Sequence, residues 1–113
     1  MYKISIEDTV EVNVKFTLKA GKVNKQFACT LVAKRMAQDE IAERLQAVEY
    51  KFVDFMLTPG LITDWRDQRL VVDEAGAPAE FNEDAFTVML KTQGLAQLCF
   101  NAYQKEAGAK EKN

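Results

Sequence analysis

The chain has no histidine, and its 113 residues include only two cysteines, two prolines and five glycines. Without imidazole it cannot assemble a Ser-His-Asp or Cys-His nucleophile pair, a His-Glu-x-x-His zinc site or a mixed Cys/His finger. Two thiols are too few for a structural zinc site. Asp and Glu are plentiful, yet no glycine-rich phosphate loop or dinucleotide fingerprint brings a substrate to them. The composition therefore points away from an enzyme and from any resident metal or cofactor. An excess of charge of one sign is lacking too. Fifteen basic and 17 acidic residues leave a net charge of −2, without the basic footprint that nucleic acid or acidic lipid demands. No apolar run approaches the roughly 20 residues that span a bilayer. Met1 to Ile6 lacks the basic start and long apolar segment of a signal peptide, so a cytoplasmic protein with no membrane or nucleic-acid partner is expected.

What is present suits one globular domain. Apolar residues make up 48% and charged residues 28%, enough for a single core and too apolar for a disordered chain. The domain is expected over 1–106, with 107–113 as a flexible polar tail rich in Lys and Glu. Cys29 and Cys99 fall at apolar positions, where a thiol usually behaves as a small buried hydrophobe. A disulfide between them requires a strand and a helix to meet there, and the lack of a secretion signal argues against one.

From Val10 to Leu18 every even position is apolar (Val10, Val12, Val14, Phe16, Leu18), the period-2 signature of a strand with one wet face. A second alternating run carries Phe27, Cys29, Leu31 and Ala33 on one side. Gly21 to Asn24 reads as the hairpin loop between them. A one-residue slip would reverse the faces of the second strand, so opposed residue numbers must sum to an odd value. A sum of 45, pairing Leu18 with Phe27 and Phe16 with Cys29, is predicted.

Beyond Met36 the period changes. Ile41, Leu45, Val48, Phe52 and Phe55 recur at spacings of four and three on one helical stripe, with Asp39 and Glu40 in the first turn and Pro59-Gly60 as a stop. A helix of about 19 residues would run about 28 Å and cover the apolar face of the hairpin. The stripe also resembles two heptads of a coiled coil, short of the three or four that identify one, so a helix facing its own sheet is the preferred reading.

Leu61 to Val72 shows no clean period. Asp73-Glu74-Ala75-Gly76 is a turn signal, Pro78 keeps the chain extended until Phe81, and Asn82 is a suitable N-cap for a helix carrying Phe86, Met89 and Leu90. Thr92 can cap a last helix whose Leu95, Leu98, Cys99, Ala102 and Tyr103 share a side. The fold class is α+β: an N-terminal antiparallel β-hairpin packed against a long helix, followed by shorter C-terminal helices.

In order and spacing these residues resemble the small tail assembly chaperones of long-tailed bacteriophages and prophages. The likeness covers nearly the whole chain. An alternating strand pair ends near Ala33-Lys34-Arg35 and a helix follows. Then come Trp65, Leu70-Val71-Val72, Asp73-Glu74 with Gly76 and Pro78, Phe81 opening a helix, and Gly94-Leu95-Ala96 leading to Ala102-Tyr103. Gln93 departs from the pattern, standing where a proline is expected to open the last helix. The resemblance implies a protein of the bacterial host cytoplasm that binds the tape measure protein, keeps its long apolar helical surface soluble until tail tube subunits replace the chaperone, and is absent from the finished virion. Members often occur in a short and a frameshifted longer form, and this chain would correspond to a short one. A structural tail or head-tail component, or a generic cytosolic interaction module using the unpaired hairpin edge, are the alternatives, and self-association is compatible with each. Leu61, Ile62, Trp65, Phe100 and Tyr103 are the expected partner-binding residues, an exposed apolar patch being meaningful there. Equally, Trp65 can plug the core beneath the Asp73 to Pro78 turn.

Overall fold

In a computed structural model, residues 1–111 are described. They form a mixed α+β domain with a three-stranded antiparallel sheet and four helices. The strands are β1 (Thr9–Ala20), β2 (Val23–Lys34) and β3 (Ile62–Arg66), in the spatial order β1-β2-β3. The alternation seen in the sequence holds along β1, where Val10, Val12, Val14 and Phe16 are buried and the odd positions are exposed. The odd-sum rule also holds, but the register sums to 43 instead of 45. Val12 faces Leu31, Val14 faces Cys29 and Phe16 faces Phe27. The connection is a two-residue turn of Gly21 and Lys22, closed by Ala20 and Val23. Gly21 at φ 64° supplies the positive φ that a two-residue turn with glycine first requires, and Asn24 lies within β2. Phe16 and Phe27 stack at 5.4 Å.

The long helix is interrupted. Helix α1 (Gln38–Ala47) and the short α2 (Phe52–Met56) are separated by Glu49 and Tyr50, both left-handed at φ 56° and 60°. Tyr50 N–H donates to Leu45 O at 2.8 Å and Glu49 N–H to Gln46 O at 3.1 Å. This is the paired 6→1 and 5→2 closure of a Schellman motif, formed without the usual glycine. The helix on the hairpin is consequently not the one expected. Helix α4 (Leu95–Ala107) packs on β1, while α1 buries Ile41 and adjoins α2.

Helix α3 (Glu83–Lys91) starts as the sequence predicts, with Asn82 Oδ1 accepting from Ala85 N–H at 2.7 Å. Thr92, however, ends α3 and does not cap α4, because its hydroxyl reaches back to Val88 O. Gly94 at φ 85° reverses the chain into α4. The buried side of α4 is Leu95, Ala96, Cys99, Phe100 and Tyr103, while Leu98 is 41% exposed. Ala107, expected to begin the polar tail, is the last residue of α4, and its carbonyl accepts from Arg35 Nη1. Residues 112 and 113 of that tail lie outside the described residues.

Candidate functional site

Each of the five residues expected at a binding patch is buried, none more than 8% exposed. Trp65 enters the core from β3, opposite Leu31. Its indole meets Phe81 edge-on at 5.4 Å and Phe86 at 6.3 Å, and Nε1 donates to Ala79 O at 3.1 Å. The loop over it is held by Asp73, whose Oδ1 accepts from Ala75 N–H and Ala77 N–H. Phe100 sits in the same core against α2, its ring 4.8 Å from that of Phe52 and 5.1 Å from that of Phe55. Tyr103, fully buried, fastens α4 to the end of β2: its hydroxyl donates to Lys34 O at 2.8 Å and accepts from Met36 N–H at 2.9 Å. Burial pushes its phenol above the usual value, with the Met36 bond pulling the other way. The structure thus gives all five residues to one core.

Gln68 was not foreseen from the sequence. It is a buried amide whose Oε1 accepts from Val71 N–H at 2.9 Å and whose Nε2 donates to Val71 O and Ala79 O at 2.8 and 3.1 Å. A lone glutamine in an aperiodic stretch carries no signal of burial.

Several open grooves mark the surface, and two of them border α4. The first, about 540 Å³, lies between α2 and the α3–α4 turn. Phe52, Val53, Leu90 and Ala96 supply its apolar wall, with Lys51, Asp54 and Lys91 among the polar lining residues. The Phe52 ring rests on Phe100, so a residue expected to bind lies directly behind this wall. The second, about 460 Å³, runs beside the outer edge of β1, where Asn13, Val14 and Lys15 meet Leu98 and Ala102 of α4. No family model matches the chain, nor does any curated protein or solved structure.

Burial pushes the Cys29 thiol up to about 11, and burial together with neighbouring Cys29 pushes Cys99 up to about 12. Both thiols are free and protonated at neutral pH, the condition of structural rather than reactive cysteines. Among the described residues no three His, Cys, Asp or Glu side chains come together as a group able to hold a metal ion, and no helix is long and apolar enough to cross a membrane. On the polar face of the sheet, Glu11 of β1 pairs with Arg66 of β3 across β2, and that hydrogen bond raises the guanidinium further above its usual value.

Proposed function

We propose that this chain is a tail assembly chaperone of a long-tailed phage or prophage. It holds an amphipathic helical segment of the tape measure protein until tail tube subunits displace it, and does not enter the virion. The order of residues from Trp65 to Tyr103 supports this reading. The observation that carries it is the groove beside α2, where the half-buried Phe52 and Val53 stay accessible against the buried Leu90 and Ala96, over the ring of Phe100. A groove of this kind fits the apolar face of a helix, its polar lining meeting the helix flanks. The function needs no bond-making group, cofactor or metal.

Co-expression with the tape measure protein that this reading expects to be encoded beside it tests the proposal. The expected result is a soluble complex that Val53→Glu abolishes while the melting temperature stays near that of the parent. Purified virions should contain none of the chain by mass spectrometry. A tape measure protein that is equally soluble without this chain, or a chain that stays in the particle as a structural tail component, would overturn the proposal.

A further inference from the structure

We infer that two copies of this chain join through the outer edge of β1, antiparallel about a two-fold axis at Asn13, to make one continuous six-stranded sheet. The inference stands apart from the proposed tape measure binding, which uses another face.

β2 lies between β1 and β3, so among the described residues the far side of β1 has no neighbouring strand in the sheet. Which groups point there follows from the register. Ala20 and Val23 close a two-residue turn, which makes them a hydrogen-bonded pair, and pairs alternate from that point. The even residues of β1 therefore bond to β2. Arg35 N–H donating to Asp8 O at 2.6 Å continues that series, while Lys34 N–H turns away to Leu61 O. Thr9, Glu11, Asn13, Lys15, Thr17 and Lys19 are left with N–H and C=O directed outward. An edge of 12 residues is long for an unprotected strand, and such an edge is a template for pairing.

The charges on this edge select a second copy and a register. Even residues face the core and odd ones face solvent, so matching faces requires opposed numbers with an even sum. A sum of 30 sets Lys15 against itself, and a sum of 28 opposes no pair of charges, with Asn13 facing Lys15 and Glu11 facing Thr17. A sum of 26 sets Glu11 opposite Lys15 of the other copy, twice, with Asn13 meeting Asn13 on the axis and Thr9 meeting Thr17. In that register no like charges are opposed, and about ten backbone hydrogen bonds close over roughly 30 Å of strand, near the number a specific interface carries. The groove beside the edge is lined by Asn13, Val14 and Lys15 together with Leu98. The exposed Leu98 thus lies beside the axis, where its symmetry mate would cover it. An isologous contact of this kind closes on itself and does not propagate.

Sedimentation equilibrium of the full chain, with far-UV circular dichroism to check folding, tests the inference. The parent should be dimeric. Asn13→Pro removes an outward N–H that the β1–β2 ladder does not use, and should weaken the dimer roughly 10- to 100-fold. Lys15→Glu opposes like charges at two places and should weaken it several-fold, and Glu11→Lys added to Lys15→Glu should restore it. Should Asn13→Pro unfold the chain, the charge reversal and its rescue decide alone. A parent that stays monomeric at the highest soluble concentration overturns the inference. So does a dimer that survives a folded Asn13→Pro, one indifferent to the charge reversal, or one broken instead by Val53→Glu.

Discussion

Replacing Trp65 by Ala separates a residue that holds the fold from one that holds a partner. The indole is 6% exposed, stands edge-on against Phe81 and Phe86, and donates to Ala79 O. Truncation leaves a cavity between β3 and α3, and a change of this kind costs about 3–5 kcal/mol. Unfolding entropy near 2.1 cal/mol/K per residue gives roughly 0.24 kcal/mol/K for 113 residues. The melting temperature should therefore fall by roughly 12–20 °C. Trp65→Phe keeps a ring against the same neighbours. Its lost hydrogen bond leaves Ala79 O still accepting from Gln68 Nε2, so the cost should be about 1–2 kcal/mol. The single tryptophan of the chain makes the parent's unfolding readable by fluorescence, and the two variants can be followed by circular dichroism. A Trp65→Ala variant melting within about 3 °C of the parent would refute the core assignment and return the residue to the binding surface.

Three further predictions use the same melts. Tyr103→Phe deprives Lys34 O and Met36 N–H of their shared partner and should cost about 2 kcal/mol. An unchanged midpoint would show that water replaces the hydroxyl there. Glu49→Gly relieves the left-handed C′ position of α1, φ 56°, and should stabilise by about 0.5–1 kcal/mol after the greater freedom of glycine in the unfolded chain is subtracted; a loss of stability would refute the Schellman closure. Cys29 and Cys99 titrate higher in the fold than the ordinary thiol value of 9.0, at about 11 and about 12. Their contribution is complete below pH 9 and is lost as pH rises toward those values, each thiol adding a slope of about 1.4 kcal/mol per pH unit while it is ionised in the unfolded chain alone. Urea unfolding of Cys29→Ala between pH 9 and 11 should show a shallower decline than the parent, and parallel curves would contradict the burial argument.

The sheet was legible in the sequence wherever the period was clean. Alternation in Val10 to Leu18 identified the strand and its core face, and parity restricted the register to odd sums. Choosing among those sums depends on the turn, where Gly21 alone supplies the positive φ and the loop is shorter than Gly21 to Asn24. The third strand was hidden by its own irregularity. Ala33 pairs with Ile62 but Val32 with Asp64, so Thr63 is an extra residue, and the bulge puts Ile62 and Trp65 on the core side at a spacing of three. The helix break was hidden for the opposite reason: Ile41, Leu45, Val48, Phe52 and Phe55 keep their helical spacing across it, and Glu49-Tyr50 carries no glycine to announce a left-handed pair. Asn82, Phe86, Met89 and Leu90 were readable because a cap and a short stripe are local. The grooves were not, because each joins side chains from elements far apart in the chain.

The Tyr103 clasp bears on synthesis. Its bonds close on residues 67 and 69 positions upstream, and α4 is the helix that seals β1. A nascent hairpin therefore waits with its Val and Phe side chains uncovered until α4 has left the ribosome. Such long-range closure is slow and leaves an aggregation-prone interval that lasts until α4 docks on the hairpin.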